Sequence, residues 1–362
     1  MERALYDPAN GYYARAAQRS GRAGDFFTSV DVGPLFGELL ELQIEEMWRA
    51  LESPNTFQSP IPNPQSPRVF DLIEAGAGNG RLSADILRAL RERDPGLFQS
   101  IRLHLVEASA AARAAQRETL GDVSNLLATS SAVLPESFEG VLIANELLDA
   151  MPVHQVTMTA EGLKEVYVDT SGDRRPAIAI GPVSTPRLAE YLEQLGVVLE
   201  PGWTIEINLN AVDWMRDAAR RLRRGFMILI DYGHEARELY SATHAAGTLT
   251  TFSGHRSQGA EASAPSWLQN AGEQDITSHV DFTSVRRAAE AEGMTALGFL
   301  DQTYFVLGLC SNWEPNRLAE HAPALKTLML PGGLGSTMKV LVMARGLGSP
   351  RLTGCTGATR LT

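Results

Sequence analysis

Three glycines at alternating positions, Gly76, Gly78 and Gly80, join an apolar run to a helical one, and no other stretch restricts the fold as strongly. Residues 69–82 read VFDLIEAGAGNGRL. The run Val69-Phe70-Asp71-Leu72-Ile73 predicts a buried strand, and the following LSADILRALRERD predicts a helix with Leu82, Ile86, Leu87 and Leu90 on one face. Strand, glycine turn and helix in direct succession point to a doubly wound α/β fold with a ligand at the turn. Glycine reaches backbone angles closed to other residues and lets a ligand approach the main chain.

The spacing selects the ligand. The dinucleotide fingerprint places its third glycine three residues after the second, and Gly76-x-Gly78-x-Gly80 does not meet it. Glu74, two residues before the first glycine, is instead the habit of S-adenosylmethionine folds. That ligand carries an ammonium, a sulfonium and a ribose but no phosphate, so a carboxylate suits it better than a phosphate cradle. A second predicted strand, IRLHLVEAS at 101–109, ends at Glu107, where an acid can accept hydrogen bonds from ribose hydroxyls. The competing readings are a glycine turn without a ligand and a solvated strand-end glutamate.

With 362 residues, 44% of them hydrophobic, the chain can bury one large core or two moderate ones. A formal net charge of −11 argues against a dedicated nucleic-acid binder. Cys310 and Cys355 are too few for a disulfide framework or a zinc cluster. They fit a reducing compartment, and with an N-terminus lacking a signal core or transit segment they lead to an expected cytoplasmic location. No apolar run approaches a membrane span, and no spacing suggests a metal site.

Along the chain, residues 1–68 are expected to form an aromatic- and glycine-rich lid segment and a helix over 34–51, followed by a proline-rich loop. The core domain is expected over 69–346. Within it, a weak third strand lies near Leu126, further strands cover 141–144, 225–233 and 337–346, and helices cover 110–120, 211–222 and 281–293. An inserted hairpin and helix occupy about 151–205. The long polar stretch at about 240–275 reads as an irregular loop, and the tail at 347–362 as disordered.

Several stretches together resemble the MidA-type S-adenosylmethionine-dependent methyltransferases, a family that includes a mitochondrial arginine methyltransferase needed for assembly of respiratory complex I. They are ALYDPANGYY, GRAGDFFTS, LFGELL, EAGAGNGRL, LVEAS, ANELLDAMPVHQ, ILIDYG, GTLTTFSGHR, GEQDITSHVDF and MKVLVMARG. The resemblance implies a seven-stranded Rossmann-like methyltransferase sheet with an inserted α+β module and an N-terminal lid. It implies that S-adenosylmethionine meets Glu74, Gly76, Gly78, Gly80, Glu107 and Asn145, with Gly24, Asp25, Thr28 and Ser29 closing the pocket. It also implies a protein substrate, with a respiratory-complex subunit as one candidate. Ala77 stands where the family pattern has proline, and VDVGP replaces its proline-acidic pattern.

Methyl transfer from a sulfonium needs alignment and exclusion of water more than a strong base. An arginine acceptor is charged and delocalised, and carboxylates can hold it bidentately. Glu146 and Asp149, just past the fourth core strand, are the candidates for orienting it; local capping is the alternative. His255 is the candidate proton acceptor. His279 and Asp281 are weaker candidates, Asp281 being equally a helix cap. His154 either lines the pocket or begins the hairpin, and Asp231 either faces the crevice or serves structural hydrogen bonds. Tyr12 and Tyr13, with Phe26 and Phe27, either pack over adenine or form the lid's own core. The rival functions are a non-catalytic assembly scaffold, a dinucleotide oxidoreductase and a small-molecule methyltransferase.

Overall fold

A computed structural model describes residues 1–14, 27–53, 69–169, 176–253, 256–258 and 265–357. In chain order its strands are β1 (Phe70–Ala75), β2 (Ile101–Val106), β3 (Leu127–Ser131), β4 (Phe138–Asn145), β5 (His154–Thr159), β6 (Gly162–Asp169), β7 (Ala177–Gly181) and β8 (Thr204–Ile207). They continue as β9 (Leu222–His234), β10 (Thr250–Ser253), β11 (Arg256–Gln258), β12 (Asp275–Thr277), β13 (Val280–Asp281), β14 (Thr295–Asp301) and β15 (Met338–Arg345).

Seven strands lie side by side in the order β14-β15-β9-β4-β1-β2-β3, and β13 pairs alongside the end of β9. Strands β9, β4, β1, β2 and β3 are parallel, while β15 runs antiparallel to both β9 and β14. This is a doubly wound α/β sheet, and its order reverses between β1 and β4, where such sheets open a ligand crevice.

The side-chain period of two explains why the core strands are apolar throughout. In β9, Phe226, Ile228 and Ile230 pack into one buried cluster and Met227 and Leu229 into the other. The first cluster is covered by helices Leu35–Glu52, Arg81–Arg93 and Gln302–Leu309, and the second by Arg187–Leu195, Leu209–Arg221 and Phe282–Ala291. Between β4 and β9 the chain builds a separate antiparallel sheet, β7-β6-β5-β8.

Two sequence expectations are corrected. The stretch 240–275 is not an irregular loop throughout: it contains a 3-10 turn at Ala242–His244 and contributes to the antiparallel sheet β11-β10-β12. Nor is the tail loose over 347–357. Leu347 and Leu352 are buried, the Thr353 N–H donates to the Glu46 carboxylate at 2.8 Å, and the Gly354 N–H donates to Gln43 Oε1 at 3.0 Å. These polar residues of helix Leu35–Glu52 signal amphipathicity in the sequence but not the segment they hold. Residues 358–362 lie outside the described residues. Among the described residues no helix is long and apolar enough to cross a membrane.

Candidate active site

The glycine turn is held from behind. The Gly76 and Ala77 N–H groups donate to the Val106 carbonyl at 2.9 and 3.1 Å, and the Gln116 amide donates to the Gly78 carbonyl at 2.9 Å. Gly76, Gly78 and Gly80 all have positive φ, at 73°, 51° and 85°, a region that costs other residues strain. A Cβ on Gly78 would meet nothing within 4 Å, whereas one on Gly80 would lie 3.0 Å from Leu105. Gly80 therefore packs inward as the cap of helix Arg81–Arg93, while Gly76 and Gly78 border the open side.

That open side is a cavity of about 420 Å³ at the carboxyl edge of β1, β2 and β4. Glu74, Gly76, Gly78, Glu107, Asn145, Glu146 and Thr28 line it. Glu74 is buried and anchors the helix start: its carboxylate accepts the Ser83 N–H at 3.1 Å and the Ser83 hydroxyl. Burial nevertheless pushes its pKa up to about 7. Glu107 accepts the Gly78 N–H at 2.8 Å and the Ser109 N–H at 2.7 Å, which leaves lone pairs for ribose hydroxyls.

Across the cavity, Glu146 follows β4 at φ 53°, a left-handed conformation rare for a residue with a side chain and worth roughly 1–3 kcal/mol of strain. Its N–H donates to the Ile230 carbonyl at 2.8 Å, and its carboxylate receives the Asn145 amide at 3.3 Å and the Ser29 backbone N–H. Burial and the nearby Asp231 raise its pKa to about 8. Asn145 Oδ1 is shielded from solvent and has no hydrogen-bond partner among the described residues.

Asp149 is separated from Glu146: it is buried and does not border the cavity. Asp231 takes the structural role, accepting the Leu147, Leu148 and Asp149 N–H groups on one oxygen, at 3.2, 2.8 and 3.4 Å, and the Tyr232 N–H at 2.8 Å on the other. Burial raises both acids, and each further opposes ionisation of the other. Asp231 has four N–H donors, whereas Asp149 Oδ1 has no partner among the described residues.

Other expected residues stand elsewhere. Ser29 is buried but donates to Gln302 Oε1 at 3.0 Å instead of bordering the cavity. His154 begins β5 and pairs with Glu165 at 2.8 Å, outside the cavity. Asp281 caps helix Phe282–Ala291 through the Thr283 and Ser284 N–H groups. His279 lies away from the cavity, and burial beside His234 and His244 lowers its imidazole to about 4, too weak a base for proton capture near neutrality. Tyr12 packs with Leu5 and Ile276 in the lid's own core, while Tyr13 borders the cavity. Gly24, Asp25, Phe26 and His255 lie outside the described residues.

Further residues border the cavity: Tyr6, Arg81, Met151 and Pro152 fall within the motif stretches, and Trp214 lies outside them. Tyr6 borders the cavity and donates to the Ala150 carbonyl at 2.9 Å, while the Tyr13 hydroxyl donates to Asp275 at 2.9 Å. Arg81 pairs with Asp31, which also accepts the Thr28 N–H and hydroxyl, both at 2.9 Å, and so fixes residues 28–32 over the turn. Trp214, Met151 and Pro152 also line the cavity.

These features define a nucleotide-type cofactor crevice without the phosphate-binding spacing. Comparisons with known proteins specify it. Residues 39–300 match the family described as "Putative S-adenosyl-L-methionine-dependent methyltransferase", and the chain belongs to that family. It is an S-adenosylmethionine-dependent methyltransferase. It is similar to a solved structure from Burkholderia thailandensis bound to S-adenosyl-homocysteine, with 30% identity and a TM-score of 0.82, covering 99% of this chain and 89% of that one. It is 28% identical to a Mus musculus protein named protein arginine methyltransferase NDUFAF7, mitochondrial, over 92% of this chain and 75% of the relative. The Drosophila melanogaster homologue of that name is 26% identical over 96% of this chain and 80% of the relative.

The residues present fit the cofactor. The orphaned Asn145 Oδ1, the unused lone pairs of Glu107 and the open face of Gly78 supply acceptors and room for a cationic, ribose-bearing ligand. The expected cytoplasmic location does not stand, because these curated relatives are named as mitochondrial proteins.

Proposed function

We propose that this methyltransferase acts on a protein and places the methyl on a guanidinium nitrogen of arginine. The observation that carries the reading is Glu146, held at the cavity wall in a strained conformation, where burial and the neighbouring Asp231 and Asp31 raise its pKa. A guanidinium arriving there meets a carboxylate that becomes ionised on pairing, because the incoming charge offsets its desolvation. Held through two N–H groups, it turns its third nitrogen toward the cofactor. Bound S-adenosylmethionine supplies a methyl on a positively charged sulfur. Tyr6, Tyr13 and Thr28 shield that region from water. Asp149 and Asp231 act through the 147–149 turn and set where Glu146 stands. The names of the mouse and fly relatives support a protein acceptor, and respiratory-complex subunits are the first acceptors to test.

The test incubates the protein with methyl-labelled cofactor and a lysate lacking the gene product. Mass spectrometry should find label on arginine of a discrete protein. Label confined to small molecules, or to other side chains, would refute the arginine assignment.

A further inference from the structure

Outside the cofactor cavity, three histidines from three separate elements converge. His234 ends β9, His244 closes the turn Ala242–His244, and His279 precedes β13, whose pairing sets Asp281 opposite His234. Ring centroids are 5.1, 5.3 and 6.0 Å apart, and one nitrogen from each ring lies within 4.8 Å of the others. Glu238 steadies two of the rings: its carboxylate is 3.1 Å from His234 Nδ1 and its backbone carbonyl 3.2 Å from His244 Nδ1. The Glu238 carbonyl thus orients the His244 ring, while His234 Nδ1, near the Glu238 carboxylate, has no hydrogen-bond partner among the described residues and is free to ligate. His279 Nδ1 is buried without a hydrogen-bond partner among the described residues. Its backbone N–H donates to Thr248 Oγ1 at 3.0 Å, which fixes the residue while leaving the ring uncommitted.

We infer that His234, His244 and His279 form a binding site for a divalent transition ion, zinc being the best match. Three imidazoles suit tetrahedral zinc, whose fourth position water can fill once the rings move, and the cluster itself offers nitrogen donors, not the oxygens that calcium or magnesium prefers. Zinc–nitrogen bonds of about 2.0–2.1 Å place tetrahedral ligands roughly 3.3 Å apart, so loading draws the rings inward through side-chain rotation. The ion would cross-link the end of β9 to both ends of the stretch that carries β10, β11 and β12. That stretch presents Asp275, the partner of Tyr13, so the ion would brace the lid side of the cavity from behind. The sequence concealed the site, because separations of 10 and 35 residues (His234 to His244, His244 to His279) match no ligand motif.

The experiment uses untagged, full-length protein stripped with chelator. Calorimetric titration with Zn²⁺ should show saturable uptake of one ion per chain and a rise in Tm, and Co²⁺ should give the intense visible bands of four-coordinate nitrogen ligation. His244→Ala, at a half-buried turn position, should weaken Zn²⁺ binding by more than about tenfold, and His154→Ala should leave it unchanged. The Co²⁺ spectrum is read on the unaltered protein, so the ligand assignment does not depend on any variant folding. Absence of saturable uptake, a weak six-coordinate Co²⁺ spectrum, or equal Zn²⁺ affinity in a folded His244→Ala variant would overturn the site.

Discussion

The two walls of the cavity solve opposite problems. Along the glycine turn, the acids are already engaged: Glu74 holds Ser83, and Glu107 holds the N–H groups of Gly78 and Ser109. Across from it, Glu146 is held in a left-handed conformation, with Asp149 and Asp231 buried behind it. A wall with its polar groups paired is rigid before its ligand arrives. On the other wall, burial and acidic neighbours raise the pKa of Glu146, so a positively charged guest would offset part of its desolvation. The contrast accords with a cofactor site kept ready for use and an acceptor site completed by its substrate.

The sharpest way to break this contrast is Glu146→Gln. It should lower kcat by about 10²–10³, the scale of losing one group aimed at the reacting centre, while the cofactor Kd stays within about twofold. A comparable loss of cofactor affinity would merge the two walls into one site. Glu107→Gln should do the reverse, weakening cofactor binding by about 10–100-fold, as expected for hydrogen bonds to a charged group, with kcat at saturating cofactor nearly intact; calorimetry and initial rates separate the two. Arg81→Ala frees residues 28–32 from the turn. Because the arginine is about one-third exposed, its pair with Asp31 is partly screened and the cofactor Kd should rise only about threefold.

The smallest effect is on stability. Glu146 and Glu74 bind protons more tightly folded than unfolded, with folded values of about 8 and 7. Their contribution is fully present below the unfolded value near 4.5 and is lost as pH rises through the folded values. The cofactor-free protein should therefore lose Tm between pH 5 and pH 8, and Glu146→Gln should melt about 2 °C higher than the parent at pH 8. That gap should close toward pH 5; melting curves that stay parallel across this range would remove the buried-acid account. Asp71 runs the other way. Burial acts against its charge, but hydrogen bonds from His104, Arg102 and the Glu139 N–H prevail and hold it at about 2, so its contribution is lost only in strong acid.

How much of this was legible in the sequence follows from the range of the forces involved. The glycine turn, its helix and the apolar strands β1, β4 and β9 are written locally, in φ requirements and in uninterrupted hydrophobic runs. Glu107 and Asn145 could be placed because each ends such a run. Trp214 lies outside every motif, and the contacts of Tyr6 to Ala150 and of Arg81 to Asp31 join elements distant in sequence. The separate fates of Glu146 and Asp149 were equally hidden, since they depend on Asp231, more than 80 residues later, gathering the N–H groups of the turn. Hydrogen bonds to Glu46 and Gln43 likewise gave residues 353 and 354 an order that their composition does not suggest.

The lid is assembled from regions made at very different times. Tyr13 is secured by Asp275, and Ser29 by Gln302. During translation the opening segment leaves the ribosome long before either anchor has been synthesised, and it must wait undocked while the sheet condenses. Competence to retain the methyl donor is thus acquired late in biogenesis, and a prematurely terminated product lacking those anchors would be silent rather than partly active.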